Sequence, residues 1–270
     1  MFEESFSEAW RLRYGSDSPV DGEVGDRLAR FLTHRSVRSY ADRVVSREVV
    51  RGLVAAAQSA ATSSNLQLWS VVSVQDPVRR EAIALLCADQ KQVREAPWFF
   101  AFCVDLHRLN RAAESVGENP AALDTAEFYT MAVVDAALAA ERMVSAAESI
   151  GIASCYIGAL RNDAFAIREF LQLPSGCFGL FGLCLGYPAD NVKAEIKPRL
   201  GQESVWFEEV YDSERGIGDF DERMVAFYES QGMNPGVNWS MRSARRVNGE
   251  QMTGREVIKQ FLAEQGLDLR

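Results

Sequence analysis

Five consecutive residues, His34-Arg35-Ser36-Val37-Arg38, bring two guanidinium groups, an imidazole and a hydroxyl into one short stretch of a chain whose formal net charge is −9. Arginine presents planar, paired donors that match the oxygens of phosphate or carboxylate, and serine adds a further donor. A local knot of cations in an acidic chain points to a small-anion site. Taken alone, the pentapeptide is also compatible with a solvated surface. A second basic pair far downstream, Lys197-Pro198-Arg199, favours the anion site. Proline stiffens the backbone there and sets two cations along it, although a solvated basic loop would look the same.

Three polar or small-residue segments lie near or between these basic stretches. Ala61-Thr62-Ser63-Ser64-Asn65-Leu66-Gln67-Leu68-Trp69 joins an expected helix to an expected strand. Its hydroxyls and amides can hydrogen-bond a polar ligand, or simply form a helix-terminating turn. In Cys155-Tyr156-Ile157-Gly158-Ala159-Leu160-Arg161-Asn162 the small residues allow backbone to approach a flat ligand. This segment is not G-x-G-x-x-G, so a dinucleotide-binding Rossmann motif is excluded, and a tight turn is the plain alternative. Gly186-Tyr187-Pro188-Ala189-Asp190 leads into the second basic pair. No G-x-S-x-G or Ser-x-x-Lys provides an activated nucleophile. Glu127 and Asp135 share one apolar helix and would serve either as a carboxylate pair or in capping, helix pairing or an interface. Cations for a phosphate, small residues for a flat ligand and no acid–base set are the profile of a cofactor enzyme, in which the protein binds and orients while the cofactor reacts.

The elements that must position these groups follow from pattern. The chain has 270 residues, enough for one large domain or two small ones, with the apolar and charged content of an ordinary globular protein. No basic stripe dominates, which argues against nucleic acid. Cys87, Cys103, Cys155, Cys177 and Cys184 form no C-x-x-C pair. They read as buried free thiols of a reducing compartment, and with only His34 and His107 as imidazoles no metal site is expected. The start MFEESFSEAW lacks a basic segment followed by an apolar core, and no run of 18 apolar residues occurs. A cytoplasmic protein with no membrane association is expected.

Residues 1–25 read as a short helix followed by a loose arm, with the body beginning near residue 26. Helices are expected over 46–61, 78–88, 124–150, 163–171, 219–231 and 255–265, and strands over 69–74, 98–104, 153–157 and 178–185. The alanine-rich 124–150 segment is apolar on more than one face, which suits a central core helix or a subunit interface. The fold class is α+β or α/β around one sheet.

The order HRSVR, ATSSNLQLWS, DQKQV, YIGALRN, LFGLCLGYPADN and KPRL closely resembles the nitroreductase family, most of all its NADPH-dependent flavin reductases and oxygen-insensitive major nitroreductases. The resemblance spans about residues 26–270. It implies an α+β fold, with a central mixed or antiparallel sheet surrounded by helices, and an interlocked homodimer. Each site would hold one FMN, and residues beyond about 215 would embrace the partner subunit. Position by position, it implies that His34, Arg35, Ser36 and Arg38 bind FMN, with the arginines at the phosphate, and that Lys197 and Arg199 bind from the other side. Thr62 and Ser64 would belong to the flavin segment, Gln90 would reach the cofactor, and Tyr156, Ile157, Gly158 and Ala159 would line the ring. Ala159 stands where relatives often carry glycine.

The implied activity is a ping-pong transfer of two electrons, from NADPH or NADH through flavin N5 to nitroaromatic, quinone or flavin acceptors. No side chain is required as an obligate acid or base. A specialised reductase for one enone or halogenated aromatic, and an FMN-binding module with little turnover, are the alternatives. In NADPH-selective relatives, arginines after the helix matching 219–231 hold the 2′-phosphate. Here Ser230-Gln231-Gly232-Met233-Asn234-Pro235-Gly236-Val237-Asn238-Trp239 has none, and Gln231 stands at the main arginine position. A weakened NADPH preference is therefore expected unless Arg242, Arg245 or Arg246 substitutes. Arg255 matches an arginine near the acceptor pocket, and Ser64 also faces that substrate side.

Overall fold

The computed structural model describes residues 4–20, 22–190, 192–233 and 235–269. Asn191 of the LFGLCLGYPADN segment and Asn234 of the 230–239 loop lie outside them. In chain order the helices are α1 (Phe6–Tyr14), α2 (Gly22–Leu32), α3 (Arg47–Gln58), α4 (Pro77–Leu86), α5 (Lys91–Glu95), α6 (His107–Ser115), α7 (Ala126–Ser149), α8 (Ala164–Leu171), α9 (Phe220–Ser230), α10 (Trp239–Val247) and α11 (Ile258–Glu264). The strands are β1 (Trp69–Ser73), β2 (Trp98–Asp105), β3 (Ala153–Ile157) and β4 (Cys177–Gly186). No helix among the described residues is long and apolar enough to cross a membrane. The chain divides into two compact units, Met1–Arg35 with Ala194–Met252, and Ser36–Lys193 with Thr253–Arg270.

The second unit holds the sheet, in the order β1-β2-β4-β3, with each neighbouring pair antiparallel. The continuous apolar run of β2 is explained by burial on both faces. Trp98, Phe100 and Phe102 pack on α3 and α7, and Phe99, Ala101 and Cys103 on α4, α5 and α8. This alternation follows from the two-residue period of a strand. A shift in register after Phe102 accommodates the extra residue of β4. Gly182 of β4 is dictated by Phe99, because a Cβ there would lie 2.6 Å from its ring.

Alanine content explains how α7 sits so deep. Ala132, Ala136, Ala139, Ala140 and Ala147 are wholly buried, and their short side chains let α3 and the sheet close on the helix. Val134 and Leu138 on its other side stay exposed. α3 begins where the sequence places it, with Ser46 Oγ accepting from Val49 N at 3.3 Å. Phe261, Leu262 and Leu267 of the C-terminal segment are buried in a cluster with Phe178, Leu180 and Ala136 of the same chain.

In the first unit, α1 is fixed by a capping box. Glu8 N donates to Ser5 Oγ at 3.3 Å, and Ser5 N donates to Glu8 Oε2 at 2.8 Å. Gly15 ends the helix in the left-handed conformation. α1 buries Phe6, Ala9, Trp10 and Arg13, and Phe6 packs against Gly25 of α2. α2 starts at Gly22, so the expected boundary between arm and body at 25/26 falls inside a helix. Val24, Leu28 and Phe31 form an exposed apolar stripe along α2. Phe220, Met224 and Tyr228 of α9 make a separate small core with Trp239 at their edge.

Candidate active site

The first basic segment splits by side-chain direction. Val37 is wholly buried, its N–H donates to Ser154 O at 2.9 Å, and Tyr40 Oη donates to Val37 O at 2.9 Å. A parallel bridge between Ser36 and Ser154 lays this stretch beside β3. Extended backbone then turns Ser36 and Arg38 outward. Both are exposed, and the Arg38 guanidinium makes no hydrogen bond or ion pair among the described residues.

Arg35 behaves differently. It is buried, its Nη2 lies 2.8 Å from Glu4 Oε2, and Nε and Nη1 donate to Thr33 O and Ala194 O at 3.2 and 3.4 Å. An anion of the chain itself already meets this guanidinium, so Arg35 is not presented as openly as Arg38. In the same unit Lys197 and Arg199 are exposed on either side of buried Pro198. Arg199 Nη1 rests on Lys197 O and Pro198 O at 3.3 Å each.

The hydroxyl-rich segment forms a tight loop before β1. Ser64, Asn65 and Gln67 all have positive φ, at 48°, 56° and 53°. Each non-glycine residue held there costs about 1–2 kcal/mol. The compensation is Asp135 of α7, only 1% exposed. Its carboxylate accepts from Thr62 Oγ1 at 2.5 Å, Ser63 N at 3.0 Å and Leu68 N at 3.1 Å. Thr62 Oγ1 in turn accepts from Gln67 N at 2.9 Å, and Ser63 Oγ donates to Met131 S at 3.1 Å. The two expected contacts in this loop therefore have separate roles. Thr62 spends its hydroxyl inside the loop, whereas Ser64 is exposed.

At the base of the loop Arg108 Nη1 donates to Gln67 O at 2.8 Å, and Arg108 is held by Asp105 at 3.0 Å. Burial pushes the Asp105 carboxyl up. Hydrogen bonds from Ser70 Oγ and Arg108 N, with the Arg108 charge, more than offset this and hold it below the usual carboxylate range. Neither Asp135 as a loop clamp nor Arg108 follows from the sequence, because both act on residues far away in the chain.

The end of β3 supplies the second wall. Ile157 is core-facing and Ala159 is 7% exposed, so these two would offer a ligand backbone rather than side chain. Tyr156 is 37% exposed, stands edge-on to Phe181 at 5.4 Å and donates to Glu141 Oε2 at 3.2 Å. Burial, then the Glu141 charge, raises its phenol above the ordinary range. Gly158 leaves an opening. A Cβ placed there would meet only Arg161 Nη2 at 3.8 Å and Arg255 Nη2 at 4.0 Å. Arg255 Nε is held by Asn162 Oδ1 at 3.0 Å. Arg161 was not singled out from the sequence, although it lies within the YIGALRN motif. Gln90 follows two left-handed residues, Ala88 and Asp89, and its Oε1 accepts from Gln92 Nε2 at 2.5 Å.

In the first unit, Gln231 caps α9, and a groove beside it is lined by Tyr228, Trp239, Arg242, Arg245 and Arg246. The arginines share one face of α10 by their three- and four-residue spacing, and Arg242 stacks over the Tyr228 ring at 4.8 Å. Aromatic faces beside clustered guanidiniums are suited to a base and a phosphate. Among the described residues no cluster of histidine, cysteine and carboxylates is arranged to hold a metal.

A family model described as "Nitroreductase family" matches residues 32–187, and one described as "Nitroreductase family, C-terminal domain" matches 197–270. The chain is 33% identical over 251 residues to an FMN reductase (NADPH) of Bacillus subtilis, covering 91% of this chain and 99% of that one. It is 36% identical over 236 residues to an oxygen-insensitive NADPH nitroreductase of Salmonella typhimurium, covering 86% and 94% of the two chains. The solved structure of the NADPH:FMN oxidoreductase of Vibrio harveyi in complex with NAD+ superposes with a TM-score of 0.78 at 32% identity, covering 90% and 99%.

Proposed function

Because the chain belongs to the nitroreductase family, we propose that it is an FMN-dependent oxidoreductase that moves two electrons from a reduced nicotinamide to nitroaromatic, quinone or flavin acceptors. The observation that carries this reading beyond kinship is the outward guanidinium of Arg38 together with the open backbone at Gly158. Arg38 is exposed and makes no hydrogen bond or ion pair among the described residues, and within 4 Å of a Cβ at Gly158 these residues place only the guanidiniums of Arg161 and Arg255. These groups suit a flat ring with a phosphate tail.

In this reading Ser36 and Arg38 hold the phosphate, and Arg35 contributes charge balanced by Glu4; the family resemblance also assigns His34, Lys197 and Arg199 to FMN. Ser64, Gln90 and the backbone of Tyr156, Ile157, Gly158 and Ala159 orient the ring. Bound FMN supplies the chemistry by accepting hydride from the nicotinamide and passing both electrons on. Arg161 and Arg255 beside Gly158 favour negative charge on a ring lying there. The groove of α10 favours a nucleotide co-substrate, and so a turning-over enzyme rather than a flavin store.

Exposed apolar stripes on α2 (Val24, Leu28, Phe31) and α7 (Val134, Leu138) support a homodimer. The buried thiols of Cys87, Cys103, Cys177 and Cys184 support a reducing, cytoplasmic setting.

The purified protein is expected to be yellow and to release about one FMN per chain on denaturation, as one flavin site per chain would give. Protein that takes up no FMN would remove the reading. Asp135→Asn replaces one acceptor oxygen by a donor facing loop N–H groups. It is expected to weaken FMN binding about tenfold, the cost of one buried unsatisfied group. Flavin fluorescence titration reads this directly, and an unchanged dissociation constant would show that the loop does not serve the cofactor.

A further inference from the structure

α1 lies before both family matches, which begin at residues 32 and 197. One residue of it reaches both basic segments. Arg13 is 5% exposed. Its Nε donates to Leu32 O at 2.7 Å, Nη2 to His34 O at 2.9 Å and Nη1 to Lys197 O at 3.2 Å. Its own carbonyl accepts from Arg199 N at 2.9 Å and from Arg223 Nη1 at 2.8 Å. Arg223 is directed by Asp219 at 2.9 Å and also donates to Arg199 O. One arginine thus ties the backbone of His34 to that of Lys197 and Arg199, residues more than 150 positions apart in sequence.

We infer that Arg13 is a positioning residue for anion binding, and that α1 serves as the brace that fixes the spacing of His34 and the Lys197–Arg199 segment within the first unit, groups proposed for the phosphate end of the flavin. A planar guanidinium suits the task, since its rigid fork reaches several carbonyls at once and a lysine ammonium does not. Ligands held at fixed separation bind without first being ordered, so loss of the brace lowers the fraction of chains competent for phosphate. Arg13 itself is turned to carbonyls and need not touch the ligand. The inference rests on the proposed FMN site and gives the N-terminal segment a role.

The test uses flavin-stripped full-length protein titrated with FMN and with riboflavin, which lacks the phosphate, for wild type, Arg13→Ala, Arg13→Lys and Met224→Ala. Met224 is buried in the α9 core of the same unit and controls for loss of stability alone. Arg13→Ala is expected to weaken FMN binding about tenfold or more. Riboflavin binding should stay within about twofold, so the preference for FMN collapses. Arg13→Lys should move the same ratio in the same direction and carries the test if the alanine variant does not fold. Met224→Ala should lower the melting temperature and leave the ratio unchanged. An unchanged ratio in the Arg13 variants, or an equal fall in Met224→Ala, would overturn the brace. A wild-type protein that does not prefer FMN to riboflavin would instead overturn the phosphate site itself, and the proposed function with it.

Discussion

Arg38→Ala is expected to yield a folded protein that purifies largely colourless. Arg38 is exposed and makes no hydrogen bond or ion pair among the described residues, so its removal costs the fold little, on the order of 0.5 kcal/mol for an ordinary surface site. Its loss from a phosphate is another matter. A charge-assisted hydrogen bond contributes about 1.5–3 kcal/mol, or roughly 10- to 150-fold in the dissociation constant. Neighbouring Val37 is locked to Ser154 by its backbone, so the truncated position cannot be refilled by a shift of the strand. The check is the flavin-to-protein absorbance ratio beside a thermal melt of the flavin-free forms. A fully yellow variant would remove Arg38 from the phosphate site.

The second large effect concerns the nicotinamide. The 230–239 segment has no arginine. Three arginines instead line a groove on α10, with Tyr228 and Trp239 beside them. If these hold the 2′-phosphate, the protein prefers NADPH. Arg242→Ala and Arg245→Ala then each lower kcat/KM for NADPH about tenfold or more, the value of one charge-assisted contact, and leave NADH nearly unchanged. Comparable activity with both nucleotides in the wild type, insensitive to either change, would mean that the discrimination has been lost rather than moved. Arg242→Ala also uncovers the Tyr228 ring, so Arg245→Ala is the cleaner variant.

These contrasts reflect what one chain of letters carries. α3 is legible because Ser46 caps it and Val50, Leu53 and Ala57 recur at helical spacing on the buried face. β2 is legible because both its faces are buried. α6 and α10 leave no buried residue, and α2 buries only Gly25, so the apolar periodicity that reveals a helix is missing from them. The candidate site divides in the same way. The outward cation Arg38 and the hydroxyl Ser64 belong to local motifs, and both are exposed. Thr62 and Arg35 have the right chemistry, but Asp135 and Glu4 claim them, and no local pattern announces partners 73 and 31 positions away. Arg13 is the extreme case. In sequence it is one more surface cation of an N-terminal arm, and only the folded chain brings His34 and Lys197 to it.

The proposed function requires that this chain hold a flavin which a nicotinamide can reduce. Anaerobic mixing of the yellow protein with NADPH, and separately with NADH, in a stopped-flow cell tests it most directly. The visible flavin band is expected to bleach in a phase whose rate saturates with nucleotide, and to return when a quinone or nitroaromatic is added. A band that stays unchanged with both nucleotides would contradict it.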